Sequence, residues 1–245
     1  MGQLTNIFIE QVIWLSQADF KLPGSREAHL WRINIPENLY RLNELRAILQ
    51  PDELQRAEKY HQLKDRQRFV VSRALQRMIL GKYLDQDPEA LRFVLGDNKK
   101  PYLLKDDGTA VHYNVSHSGD WIALAIASSP VGADVEFIDP EFPFDDILPD
   151  HFSETEIDFI KLNESTQRFY LLWTRKEAFL KATGQGLGEH LIITPALDGA
   201  HELADALSGN ANNWKLQSLV LSNNYLCAVA MAGEWELKSF VVNFR

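Results

Sequence analysis

Four groups of residues in this chain have types and spacings that could do chemistry. Gly132-Ala-Asp134-Val-Glu136 puts two carboxylates on one face of an extended strand, with Ala133 and Val135 on the other. Two like charges that close repel each other. A divalent cation would relieve them, and hard Mg2+ accepts one or two carboxylates together with waters and phosphate oxygens. An edge strand with a solvated acidic face is the plainer alternative. The second group, Lys176, Glu177 and Lys181, lies within an apolar helical pattern. The third, Asn114-Val-Ser116-His117-Ser-Gly119, stands between two strand-like runs and reads as a polar turn. Such a turn offers hydroxyl, imidazole and N–H groups to an anion, or caps its own backbone. Ser116 and His117 do not read as nucleophile and base, because neighbours on a strand point oppositely and no G-x-S-x-G elbow frames the serine. The fourth is Arg68, on the apolar face of an earlier helix. Its planar fork suits a carboxylate or a phosphate, and a salt bridge to another helix would serve equally.

The elements that must position these groups can be read from periodicity. At 100° per residue, Phe169, Leu172, Trp173, Phe179 and Leu180 of a helix over about 164–183 share an arc of about 120°. Lys176 projects into the middle of that arc and must reach water or meet an anion, because burying a bare ammonium costs several kcal/mol. Glu177 sits just beyond the Trp173 edge of the arc, with Lys181 one turn further on. An earlier helix opens at Gln67-Arg68-Phe69, runs to about Leu84, and buries Val71, Leu75, Met78 and Ile79. The same tripeptide, Gln167-Arg168-Phe169, opens the later helix. Each helix precedes an apolar strand-like run, Trp121 to Ala127 and then Tyr225 to Met231, at nearly matched offsets.

That order suggests a duplication divided at Ser128-Ser129-Pro130. The expectation is an α+β fold of two similar lobes related by a pseudo-twofold, 1–129 and 130–245. Each would be a long helix on a small, mainly antiparallel sheet, with the site between them. Pro51 with Asp52 and Glu53, Asp87-Pro88-Glu89 and the capping box Ser153-Glu-Thr-Glu156 mark further helix starts. Gly184 is the expected left-handed cap of the second long helix.

Composition bounds the function. The chain has 245 residues, 45% apolar and 24% charged, as an ordinary globular protein does. Its net charge of −9 opposes nonspecific binding to nucleic acid or anionic membrane, so an anionic ligand needs local basic groups or a metal. The lone Cys227 excludes an intramolecular disulfide and a cysteine-rich zinc site. The longest apolar run is far short of a membrane span, and with no charged-then-apolar pattern at its start the sequence gives no expectation of a secretory signal. Met1-Gly2 resembles a myristoylation start, but Asn6 stands where Ser or Thr is needed. A cytoplasmic location is the expectation.

Taken together, the groups resemble the 4'-phosphopantetheinyl transferases, in particular the long, two-lobed, surfactin-type branch. The resemblance spans about residues 50–190. It rests on Arg68-Phe69, Lys99-Lys100-Pro101, Asn114 to Gly119, Gly132 to Glu136, and Trp173-Thr-Arg-Lys176-Glu177-Ala-Phe-Leu-Lys181-Ala-Thr-Gly184-Gln-Gly186-Leu187, in the family's order. Lys99 replaces the glycine of the family's G-K-P. Glu53 falls in a short helix where relatives often carry a base.

The resemblance implies Mg2+ held by Asp134, Glu136 and Glu177, and coenzyme A between the lobes. Ser116, His117, Arg68, Lys100 and Arg56 would contact its phosphates, and Lys176 and Lys181 would face its pyrophosphate. It implies transfer of phosphopantetheine to a serine of an acyl, polyketide or peptidyl carrier protein, giving adenosine 3',5'-bisphosphate. Glu177, Lys181 and Glu136 would be the catalytic groups, with Glu177 or a metal-bound water taking the serine proton. The duplicated halves would let a monomer build the whole site. A non-catalytic module binding coenzyme A or a carrier protein, or a Mg2+-dependent phosphohydrolase, would use many of the same residues.

Overall fold

In the computed structural model the described residues are 2–95, 101–104, 110–186, 188, 190–208 and 213–242. The strands are β1 (Gly2–Ile9), β2 (Trp14–Leu15), β3 (Glu27–Asn34), β4 (Phe93–Leu95), β5 (Pro101–Leu104), β6 (Ala110–Ser118), β7 (Trp121–Ala127) and β8 (Val131–Phe137), followed by β9 (Gly199–Leu203), β10 (Asn213–Ser222), β11 (Tyr225–Ala232) and β12 (Glu236–Val241). The α-helices are α1 (Leu42–Ala47), α2 (Pro51–Glu58), α3 (Leu63–Leu84), α4 (Leu148–His151), α5 (Glu154–Leu162), α6 (Ser165–Thr183), α7 (His190–Ile193) and α8 (Asp205–Ser208). No helix among the described residues is long and apolar enough to cross a membrane.

One sheet has the order β2-β12-β3-β7-β6-β5-β4, the other β8-β11-β10-β1-β9. The repeat expected from the sequence is visible in the connectivity. A strand, a long helix and a hairpin follow one another as β3-α3-β6-β7 and again as β8-α6-β10-β11. In both cases the first strand pairs antiparallel with the last, β3 with β7 and β8 with β11.

A clean cut at 129/130 does not describe the sheets, however. β1 lies parallel to β10 in the C-terminal sheet, and β12 lies parallel to β3 and β2 in the N-terminal one. These exchanged terminal strands supply the parallel ladders. Without them both sheets are antiparallel, as expected.

Alternation along β7 explains the layering. Ile122, Leu124 and Ile126 join α3 residues such as Val71, Leu75 and Ile79 in one core. Ala123, Ala125 and Ala127 turn to the other side, against Val131, Ala133, Val135, Cys227, Val229 and Met231 of the second sheet. Alanine on that face lets the sheets approach closely. The far side of the second sheet packs on α6 through Ala178, Phe179, Leu216, Ala228 and Ala230. The layers therefore run α3, sheet, sheet, α6.

The seam where β8 meets β6 positions the site. β8 is an edge strand, and an unpaired edge exposes backbone donors that need partners. Side chains of β6 supply them: Asn114 Oδ1 accepts from the Ala133 N–H at 2.9 Å, and Ser118 Oγ from the Phe137 N–H at 3.1 Å. The expected polar turn over 114–119 is thus a strand through Ser118, and only Gly119-Asp120 turns. Its polar residues are spaced to face a neighbouring strand edge, which the local sequence does not reveal.

Candidate active site

Gly132 decides how α6 meets β8. A Cβ there would stand 2.0 Å from the Ala178 carbonyl oxygen and 2.3 Å from the Ala182 nitrogen. The helix backbone therefore lies directly on the strand, and this carries Glu177 and Lys181 to the face that bears Asp134 and Glu136. Trp173, Glu177 and Lys181 follow at i, i+4 and i+8 along one ridge of α6. Lys181 Nζ lies 2.6 Å from Asp134 Oδ1 and 3.0 Å from Glu177 Oε2.

β6 completes this cluster. Ser116 Oγ donates to Asp134 Oδ1 at 2.8 Å, and Ser118 Oγ to Glu136 Oε2 at 2.8 Å. Burial, then the Asp134 and Glu177 charges, push the Glu136 carboxyl up to about 7. Glu177 is raised for the same reasons, burial first and Asp134 next. Burial opposes the charge on Lys181, but Asp134 and Glu177 outweigh it and raise its pKa. Lys181 is therefore a firm cation between two carboxylates.

The magnesium-binding triad expected from Asp134, Glu136 and Glu177 is brought together only in part. Among the described residues no group of three or more His, Cys, Asp or Glu converges tightly enough to hold a metal ion. Lys181 pairs with both Asp134 and Glu177, so an ammonium lies between those two carboxylates. The donor chemistry nevertheless fits a hard cation. All the donors are carboxylate oxygens, and Asp134 Oδ2 is buried with no hydrogen-bond partner.

His117 belongs to a different surface. Strand alternation points Ser116 to the carboxylates and His117 to α3, where a cavity of about 150 Å³ is lined by Arg56, Tyr60, Arg68, Arg73 and His117, among others. Arg68 pairs with Asp65 of its own helix at 2.8 Å, not with another helix, and Arg56 lies over the Phe69 ring. Burial and the Arg68 charge lower the His117 pKa, so the neutral imidazole is favoured. Arg73, which the sequence reading misses, is held 3.3 Å from buried Glu53 and lines the same cavity as Arg68, Ser72 and Gln76.

One expected coenzyme contact does not join this arrangement. Lys176 is 0% exposed, with Nζ 2.9 Å from Glu156 Oε2 and bonded to the carbonyls of Leu191 and Thr194. It meets an anion, as its apolar position required, but the anion is the capping-box glutamate. Facing the pyrophosphate is thereby corrected to a role inside the fold. Lys100, with Lys99 and Leu187 of the quoted motifs, lies outside the described residues.

Comparison with known proteins identifies the site's lineage. Residues 38–129 match the family model described as 4'-phosphopantetheinyl transferase, N-terminal, and residues 130–230 that of the 4'-phosphopantetheinyl transferase superfamily. The chain is also similar to the 4'-phosphopantetheinyl transferase HetI of Nostoc sp., 31% identical over 93% of this chain and 98% of the relative. The chain belongs to the 4'-phosphopantetheinyl transferase family. The Bacillus subtilis transferase Sfp is 30% identical over 58% of this chain and 62% of its own length. The Aneurinibacillus migulanus transferase gsp is 30% identical over 63% and 65%. This phosphopantetheinyl transferase is thus an enzyme of the surfactin type, with a mixed α+β fold.

Proposed function

We propose that this transferase moves the 4'-phosphopantetheine arm of coenzyme A onto a serine hydroxyl of an apo carrier protein, of acyl, polyketide or peptidyl type. Adenosine 3',5'-bisphosphate leaves, and the reaction depends on Mg2+. One observation carries the reading: β6 presents Ser116 to the carboxylate–lysine cluster and His117 to the arginine-lined cavity, so an anion site and an acidic centre share one strand.

In this reading Arg56, Arg68 and His117, joined by Arg73, bind phosphate oxygens of coenzyme A in the cavity, and Lys100 retains the contact implied by resemblance. Asp134, Glu136 and Glu177 are the groups that would hold Mg2+. When bound, the ion supplies Lewis-acid neutralisation at the pyrophosphate. Phosphoryl transfer calls chiefly for positioning and charge stabilisation, and Lys181 provides a protonated donor at the transferring group. Glu177 has a raised pKa and therefore greater basicity than an exposed glutamate, which suits it to take the serine proton. Lys176 contributes by fixing α6 against residues 191–194. One chain carries both surfaces, so a monomer can build the whole site, and the place of action in this reading is the cytoplasm.

The test is mass spectrometry of apo carrier proteins incubated with the transferase, coenzyme A and Mg2+. A gain of about 340 Da, the mass of the transferred phosphopantetheinyl group, supports the proposal. Release of phosphate from coenzyme A without a carrier would favour a phosphohydrolase. Binding without turnover on any carrier type would favour a non-catalytic module.

A further inference from the structure

Ser118 falls within the 114–119 motif but has no role among those the resemblance implied, and its hydroxyl makes two hydrogen bonds to β8. Its hydroxyl accepts from the Phe137 N–H at 3.1 Å, so its single proton is committed to Glu136 Oε2, 2.8 Å away. Ser118 thereby binds the backbone of one β8 residue and the side chain of the residue before it. Glu136 needs such a restraint more than Asp134 does. Asp134 is 1% exposed and bonded by Ser116 and Lys181. Glu136 is less buried, lies one residue from the end of β8, and has one more rotatable bond.

Ser118 is itself held from the C-terminal half. The Tyr225 hydroxyl accepts from the Asp120 N–H at 3.1 Å. Gly119, at φ +51°, leaves room for that hydroxyl, since a Cβ there would come within 2.3 Å of it. Tyr225 pairs in register with Phe137. A closed circuit results, running from Ser118 to Phe137, across the ladder to Tyr225, and back through the Gly119-Asp120 turn.

We propose that Ser118 is a positioning residue for the transfer reaction, fixing the Glu136 carboxylate in the orientation that receives the divalent cation. The inference rests on the reading of Asp134, Glu136 and Glu177 as the magnesium-binding carboxylates. Hydrogen-bond partners of ligating carboxylates typically govern metal affinity by about 10–100-fold.

The experiment titrates Mn2+ into the full-length protein with coenzyme A and no carrier protein, following free Mn2+ by electron paramagnetic resonance. Ser118→Ala should bind Mn2+ about 10–100-fold more weakly than the parent. Its coenzyme A affinity in EDTA should stay unchanged, because the cavity lies on the other face of β6. Ser118→Thr and Ser118→Val share a shape and differ by the hydroxyl, so they decide the matter should alanine impair folding. Threonine should retain Mn2+ affinity and valine lose it. Parent-like affinity in Ser118→Ala, or equal affinity in the threonine and valine variants, overturns the inference. Glu136→Gln separates the two levels. If it binds Mn2+ as the parent does, the magnesium reading falls and the inference with it. If it binds weakly while Ser118→Ala binds normally, the role of Ser118 alone fails.

Discussion

The Gly132 α-carbon and the Ala178 carbonyl lie so close that a methyl group on Gly132 would sit 2.0 Å from the oxygen. That contact seats α6 on β8 and sets where Glu177 and Lys181 stand over Asp134. Gly132→Ala must push the helix away, at the cost of about 1–3 kcal/mol or more that overpacking brings. For a chain of this size each kcal/mol lowers Tm by roughly 2–4 °C. Calorimetry should show that fall, and carrier modification should drop further than the stability loss explains.

Lys181→Met tests the cation between the two carboxylates. Removing one partner of a buried ion pair costs about 3–5 kcal/mol, because the Asp134 carboxylate stays buried without a counter-charge. The variant should be less stable in EDTA and regain more Tm on adding Mg2+ than the parent does, while transfer stays low. Equal Mg2+ responses in thermal melts would contradict the assignment.

Lys176→Met should behave differently, through the fold alone. Burial lowers the Lys176 pKa and Glu156 restores part of it, so the pair is interdependent. Breaking it strands Glu156 and costs about 3–5 kcal/mol, partly recovered by adding Glu156→Gln. In folded protein, calorimetric titration should find coenzyme A affinity unchanged.

Arg68→Ala is the counterpart. Hydrogen bonds to charged groups are worth about 1.5–3 kcal/mol, so KM for coenzyme A should rise roughly 10–100-fold with a small change in Tm. Raising ionic strength should narrow the gap between variant and parent.

Acid stability should report on His29, far from the site. Its ring bonds the Tyr83 hydroxyl and Glu27 at 2.6 Å each, and Asp19 and Lys238 add charge around it. Burial lowers its pKa, against the pull of Glu27, so the folded state resists a proton that the unfolded chain takes near 6.5. Stability is complete above about 6.5 and declines as pH falls below it. Glu27 is depressed by Lys238 and His29 despite its burial, so its own contribution is lost only below about 4.5. Denaturant melts of His29→Asn should show a flatter slope below pH 6.5 than the parent. An unchanged slope would exclude His29 as the source.

Much of this enzyme is written in local chemistry. Helices α3 and α6, the capping box at Ser153, the left-handed Gly184 and the two apolar hairpin strands follow from spacing that any window of the chain displays. So do the D-x-E pair and the lysine–glutamate helix, because side chains on one face of one element are neighbours whatever surrounds them. The partner across a seam is not local. Nothing near Lys176 announces Glu156, and nothing near Ser118 announces Glu136. The exchange of β1 and β12 between sheets joins residues at opposite ends of the chain. Whether Asp134 and Glu177 would meet a metal or an ammonium also depended on α6 lying directly on Gly132. Those choices arise when buried charges and open strand edges must find partners in the packed interior, and burial exists only once the layers have assembled.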